Sequence, residues 1–296
     1  MVIVLAGASG LLGTALKSAL RQDGHELRVL VRRDPRTAEE VRWWPGERDL
    51  APEAMSGVDA VVNLSGASIG GRRWTAGYKR EVLDSRLGAT NALVDAILAA
   101  GEAAPTTLLS ASAVGYYGDT GDEIVDESYP AGNGFLAGVC RQWEAAAARA
   151  DGPARVLVLR SGLVLSRRGG LLGRLRPLVK AGLGGKLGSG QQYQTWIALP
   201  DHVAATRFLL AAGVRGAVNL TGPTPVRQKE FVAEMGRILH RPTLLPAPAF
   251  ALRLALGDIA DEGVLVGQRA VPAVLETAGF RFAYPTLSAA LTWALE

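Results

Sequence analysis

Residues 2–13 read VIVLAGASGLLG. Val2 to Ala6 is an unbroken apolar run, the pattern of a short strand covered on both faces in a parallel sheet. Leu11, Leu12, Ala15, Leu16, Ala19 and Leu20 then recur at helical spacing, with Gly24 just beyond as a stop. Between strand and helix stand Gly7, Gly10 and Gly13 in a G-x-x-G-x-x-G spacing. Such a turn needs glycine for three separate reasons. The first allows a tight bend, the second lets a pyrophosphate approach backbone with no Cβ in the way, and the third lets helix and strand pack closely. Phosphate would meet the helix N-terminus, where free N–H groups and the helix dipole favour negative charge. Gly7, Ser9, Gly10, Leu11, Leu12 and Gly13 are the expected contacts. Glycines that merely turn the chain need not fall at this spacing.

Outward from that unit the rhythm repeats. Leu27, Val29 and Val31 alternate as a second strand; strand patterns follow at Ala60 to Leu64, Thr107 to Ala111 and Arg155 to Leu159, with helical patterns across Lys79 to Ala99 and Val139 to Ala150. Alternating β and α over this length predicts an α/β fold, a Rossmann-type doubly wound parallel sheet. Glycine is dense and apolar periodicity weak from Ser166 to Gly190, so a loop over a cleft is expected across 166–195. Beyond it, Val203 to Ala212, Lys229 to Leu239, Ala249 to Leu256 and Leu287 to Leu295 read as helices, with a short strand at Ala217 to Leu220. The expected division is 1–221 as the dinucleotide domain and 222–296 as a small, mostly helical lobe for substrate or partner.

At 296 residues, 48% hydrophobic and 20% charged, the chain can bury a full α/β core. One cysteine, Cys140, excludes an internal disulfide framework, and one Cys with three His offers no metal-ligand spacing, so no metal is expected. Met1 to Ala6 is too short for a signal peptide and no run reaches membrane-spanning length, which predicts a cytoplasmic protein outside the membrane. The net charge of +4 is spread among acidic residues, with no basic run interleaved with aromatics. Nucleic acid is therefore not an expected partner.

After the second strand an enzyme using NAD presents Asp or Glu to the ribose 2′-hydroxyl. Here residues 30–35 read LVRRDP, placing Arg32 and Arg33 at that position. Guanidinium forks match a 2′-phosphate, and one such charge-assisted pair is worth about 1.5–3 kcal/mol. NADP is the expected cofactor; Asp34 is the residue that would serve NAD in a shifted register.

With the glycine loop, VNLSGASI (62–69) and SASAVGYYG (110–118) make the chain resemble the extended short-chain dehydrogenase/reductases, the superfamily of sugar-nucleotide epimerases and dehydratases. RRWTAGYKREVLDSR (72–86), GFLAGVCRQWEAA (134–146), VLRSGLVL (158–165), GLGGKLGSGQQYQTWI (182–197), NLTGPTPVRQKEF (219–231) and LVGQRAVPAVLETAGFRFAYPTL (265–287) resemble an atypical subgroup named "epimerase family protein". The resemblance covers almost the whole chain. It implies an NADP-binding Rossmann domain and a characteristic C-terminal domain, in a subgroup where some members are described as cell-division inhibitors or plastid-division factors. It also implies cofactor contacts from Leu64, Ser65 and Gly66, from Glu81 and Arg86, and from Leu163 at the nicotinamide end. The alternative for Glu81 and Arg86 is an i, i+5 surface pair with no ligand.

Ordinary members use Tyr-x-x-x-Lys, in which a cation lowers the tyrosine pKa so that phenolate takes a proton. No tyrosine of this chain has lysine four residues on, and alignment through Glu144 puts Leu136 and Cys140 at the two positions. What remains is Ser112, matching the superfamily's serine within one residue, and Tyr116 or Tyr117 as proton donor if Arg86 supplies the missing charge. Tyr117 with Gly118 also reads as a structural turn, and Cys140 as a packed small hydrophobe. Where the family carries W-I-H-x-D-D, this chain reads WIALPD (196–201), and His202 does not stand in the histidine's place. Two readings follow: an NADP-dependent oxidoreductase or epimerase acting on a small substrate, with a homodimer as the candidate assembly, or a regulator that binds NADP(H) without turnover.

Overall fold

A computed structural model of the chain describes residues 1–48 and 50–296. In chain order its elements are β1 Val2–Ala6, α1 Leu11–Gln22, β2 Glu26–Val31, β3 Glu40–Arg42, β4 Ala60–Asn63, α2 Ala76–Ala99, β5 Thr107–Ala113, β6 Ile124–Val125, α3 Phe135–Ala148, β7 Arg155–Ser161 and β8 Leu163–Leu165. There follow α4 Gly170–Lys180, β9 Tyr193–Gln194, β10 Trp196–Ala198, α5 Leu199–Ala211, β11 Gly216–Leu220, β12 Val226–Arg227, α6 Gln228–Leu239, α7 Ala249–Leu256, α8 Ile259–Gly263, β13 Arg269–Ala270, α9 Ala273–Thr277 and α10 Leu287–Leu295.

Seven strands form one sheet in the order β11-β7-β5-β4-β1-β2-β3. The pairs β1 with β2, β1 with β4, β2 with β3 and β4 with β5 are all parallel. Connections leave β1 toward β2 on one side and return to β4 on the other. That reversal creates the switch point where open α/β sheets bind ligands, at the carboxyl ends of β1 and β4. The expected α/β class is what the chain adopts.

By packing, the chain falls into two units, one of Met1–Ser112, Val139–Leu159 and Thr206–Ala217, the other of Ala113–Gly138, Arg160–Ala205 and Val218–Glu296. The core of the first joins Val4, Ala6, Leu30, Val61, Leu93, Ile97, Leu108 and Val156. Trp196, Phe231, Met235, Leu291 and Leu295 anchor that of the second.

The stretch expected to be a loop is a correction. Gly170–Lys180 is the helix α4, with Pro177 inside it, and Leu163–Leu165 pairs in parallel with Trp196–Ala198. Leu172 and Val179 of α4 are buried in the second core. Leu171, Leu172, Leu175, Leu178 and Val179 recur there at helical spacing, but Gly170, Gly173 and Pro177 lower the helix propensity, and tertiary burial supplies the stability. Helix α3 likewise begins at Phe135, four residues before the apolar pattern suggests, because the Glu262 carboxylate accepts from Phe135 N at 2.9 Å and Leu136 N at 3.2 Å. No helix among the described residues is long and apolar enough to cross a membrane.

Gly13 lies inside α1, where alanine ordinarily favours the helix by up to about 1 kcal/mol. A Cβ there would fall 2.2 Å from the Gly7 carbonyl oxygen, which is backbone and has nowhere to go. Gly13→Ala is therefore expected to destabilise by about 1–3 kcal/mol, seen as a lowered urea midpoint, whereas Gly10→Ala shifts stability by less than about 1 kcal/mol.

Candidate functional site

The glycine turn is built by close backbone approach. Gly7 has φ +81°, and a Cβ on it would lie 2.6 Å from the carbonyl of Leu64, on the loop after β4. Gly10 differs from its neighbours in the motif. Its φ of −74° suits any residue, and a Cβ would meet only Gly7 O at an ordinary 3.6 Å. Among the described residues no contact demands glycine at position 10, and the space above it is open. Gly10 is the N-cap of α1 and no side chain caps that end, leaving the first-turn amides of Leu11, Leu12 and Gly13 available to an anion.

The two arginines after β2 divide. Arg33 makes a bidentate pair with Glu40, at 2.7 and 2.6 Å, and donates to Asp34 O. That fork and the Arg36 N–H hold the Glu40 carboxyl down at about 2. Arg32 is exposed and has no ion pair or side-chain hydrogen bond among the described residues. Asp34, the residue that would favour NAD, is paired with Arg42. The free cation at the end of β2 is thus Arg32.

Behind the glycine turn, the loop after β4 is held by a buried lattice. Asn63 Nδ2 and Trp143 Nε1 both donate to Thr90 Oγ1 at 2.9 Å, and Ser65 N donates to Asn63 Oδ1. Arg86 is buried, its guanidinium donating to Ala67 O at 3.1 Å and Val82 O at 2.8 Å and lying over the Trp143 ring. Burial holds its pKa below the usual arginine value. A Cβ on Gly66 would come within 3.2 Å of Arg86, so that glycine makes room for the guanidinium. The structure thus sets aside the surface pairing of Glu81 with Arg86: Glu81 lies near Arg72, at 3.6 Å.

Ser112 closes the carboxyl end of β5 in the same unit. Its hydroxyl donates to Glu144 Oε1 at 2.5 Å, and the serine is buried. Glu144 sits four residues past Cys140, which is itself buried on α3. The sequence used Glu144 only to align the missing pair; an acid on a helix otherwise rich in alanine was the overlooked signal.

In the second unit, Tyr117 is 2% exposed, donates to Asn219 Oδ1 at 2.8 Å and accepts from Arg160 Nη1 at 3.0 Å. Burial holds this phenol up at about 12. A saturated, buried hydroxyl of that kind is a structural hub, which removes Tyr117 from the expected proton donors. Tyr116 is half-buried, and the cation over its ring is Arg160, 3.5 Å from the centroid. Arg160, not Arg86, supplies the charge that the sequence required beside these phenols. A charged residue ending the apolar run VLVL (156–159) was its only trace. Leu163 is half-buried on β8, opposite Trp196. His202 is buried, with Nε2 at 2.9 Å from Ser161 Oγ, and desolvation lowers its pKa to about 4. Among the described residues no group of three or more His, Cys, Asp or Glu is placed to hold a metal.

The NAD dependent epimerase/dehydratase family matches residues 3–221, and a domain of unknown function, DUF1731, matches 247–294. This chain belongs to the NAD dependent epimerase/dehydratase family. It is 49% identical over 295 residues to epimerase family protein Mb2239 of Mycobacterium bovis, covering 99% of this chain and 97% of that protein. It is 34% identical over 295 residues to the human epimerase family protein SDR39U1, with 98% of each chain covered. A crystal structure of human SDR39U1 (isoform2) with NADPH superposes with a TM-score of 0.90 at 31% identity, covering 100% of this chain and 99% of that one. The nucleoside-diphosphate sugar epimerase of Corynebacterium glutamicum gives 0.80 at 33% identity, covering 100% of this chain and 58% of that one. The family and C-terminal domain expected from the motifs are the ones found.

The depressed His202 pKa makes stability depend on pH. Between about 4 and 6.5 the unfolded chain binds a proton that the folded chain excludes, so stability falls as pH drops through that window and is level above it. The loss approaches about 3 kcal/mol at pH 4. Urea midpoints from pH 8 to 5 should fall for the parent and show a flatter slope in His202→Gln.

Proposed function

We propose that this protein binds NADP(H) at the glycine turn and uses it to oxidise or reduce a hydroxyl or carbonyl of a small, nucleotide-linked substrate. The observation that carries the cofactor is Gly10, which no intramolecular contact requires to be glycine, beneath uncapped amides of α1. Gly7, Ser9, Gly10, Leu11, Leu12 and Gly13 would hold the pyrophosphate, Arg32 the 2′-phosphate, and Leu64, Ser65 and Gly66 the adenosine side. Arg86 props that last loop from behind, and Arg33 is a reserve cation restrained by Glu40. The crystal structure of the human relative with NADPH supports the choice of cofactor. Under this reading residues 1–221 carry the cofactor and 222–296 serve substrate or partner.

When bound, NADP(H) supplies hydride exchange with the substrate carbon. Ser112 gives its only proton to Glu144, so its oxygen faces a ligand as an acceptor. A substrate hydroxyl donating to Ser112 Oγ can pass its proton through the serine to the Glu144 carboxylate. This relay does the work of the absent phenolate and needs no lysine. Tyr116, half-buried with Arg160 stacked on its ring, is the second candidate group for proton transfer.

A second reading has one specific observation behind it. Leu136 and Cys140 lie four residues apart on α3, and neither offers the phenol or the ammonium that proton transfer would need, which supports a protein that senses NADP(H) without chemistry.

Calorimetry with NADPH and NADH tests the cofactor assignment. Arg32→Ala should lower the NADPH-to-NADH affinity ratio by roughly one to two decades, a loss of about 1.5–3 kcal/mol, and Glu40→Gln, which releases Arg33, should raise it. Gly10→Ala should weaken both nucleotides about tenfold or more. With a panel of sugar nucleotides followed at the nicotinamide absorbance, Glu144→Gln should cut turnover by about 10²–10⁴-fold while nucleotide affinity stays unchanged. Tight NADPH binding with no turnover on any substrate supports the second reading instead.

A further inference from the structure

Nine large apolar side chains are exposed among the described residues, and six of them fall in two stretches of the second unit: Leu178 and Leu183 in one, Leu244, Leu245, Phe250 and Leu254 in the other. The stretches run side by side. Leu245 N donates to Gly184 O, Ala247 N to Lys186 O, and Gly188 N to Ala247 O, at 3.2, 2.9 and 2.8 Å. Arg241 Nε donates to Lys180 O at 3.0 Å. A Cβ on Gly185 would fall 1.9 Å from Leu245 O, so the two backbones are in direct contact. Helix α7 contributes Phe250 and Leu254, four residues apart on one face, and buries no residue of its own. An exposed apolar cluster of this kind marks an interaction surface.

Within the two stretches themselves the charged residues are of one sign, with Asp258, Asp261 and Glu262 following α7. From 166 to 200 the chain has no Asp or Glu and six cations, Arg167, Arg168, Arg174, Arg176, Lys180 and Lys186. From 240 to 257 it again has no acid, and Arg241 and Arg253 are exposed. Arg253 pairs with Asp261, and Arg167 packs on Trp293. Exposed leucines and a phenylalanine ringed by cations leave phosphate nothing to do with the leucines, which disfavours a nucleic acid. A second copy of the chain would set cations against cations. An anionic membrane surface fits both halves, since lipid headgroups take the arginines and lysines while Leu and Phe enter the acyl boundary.

We infer that the surface formed by the end of α4, residues 183–188, residues 241–247 and α7 docks this protein peripherally on anionic lipid. This surface lies outside the residues proposed to bind nucleotide, and among the described residues no helix is long and apolar enough to cross a bilayer.

The test is flotation of the full chain with vesicles of phosphatidylcholine alone and of an equimolar phosphatidylcholine and phosphatidylglycerol mix. The protein should float with the anionic vesicles only. The triple variant Leu244→Gln, Phe250→Gln, Leu254→Gln should lose the bound fraction by about tenfold or more, with NADPH affinity and urea midpoint unchanged. A Phe250→Cys variant carrying an environment-sensitive fluorophore should shift to the blue on the anionic vesicles. Three results overturn the proposal: no flotation, flotation equal in the parent and the triple variant, or a fluorophore shift that follows protein concentration without lipid, which would mean a second copy covers the face.

Discussion

Everything assigned to nucleotide binding depends on how closely three pieces of backbone approach one another at the carboxyl ends of β1 and β4. The Gly7 carbonyl sits where a Cβ of Gly13 would be, and Gly7 itself is pressed against the Leu64 carbonyl. These contacts bring the first turn of α1 and the loop after β4 to the same point of the sheet. The helix dipole and its uncapped amides are aimed there as a consequence. Gly10 is left with a surplus of space that folding alone does not call for, and the proposed nucleotide site rests on that surplus.

The polar side chains of this unit are arranged to keep that point rigid. Thr90 Oγ1 accepts from two sides, Asn63 and Trp143, tying β4, α2 and α3 together through one hydroxyl. Arg86 spends its charge on carbonyls and an indole ring. A buried guanidinium so committed is a support for the Gly66 to Ala67 backbone. The same economy applies to Arg33, whose fork belongs to Glu40 in the free protein. Under the proposed reading, selectivity for a 2′-phosphate rests on the exposed Arg32.

In the second unit a buried network stands where catalytic phenols were expected. Arg160, Tyr117 and Asn219 satisfy one another, and Glu127 accepts from Asn219 N and Val274 N while burial raises its pKa. Buried polar groups of this kind lose much if any one partner is removed, which makes them strong determinants of a unique packing. Tyr116 is the member left partly open.

The sequence by itself determined the β1, glycine turn and α1 unit, the doubly wound sheet and the family, because strand and helix periods and the glycine spacing are local patterns written within a dozen residues. Only the tertiary structure decided that Arg33 is bound to Glu40 across two strands, that Ser112 meets Glu144, and that Arg160 lies on Tyr116. It likewise decided that residues 170–180 are helical and that α3 starts at Phe135 under a carboxylate from residue 262. Except for Arg33 and Glu40, which are seven residues apart, each of these rests on a partner far along the chain. A contact made by folding leaves no periodic trace in either of the segments that make it.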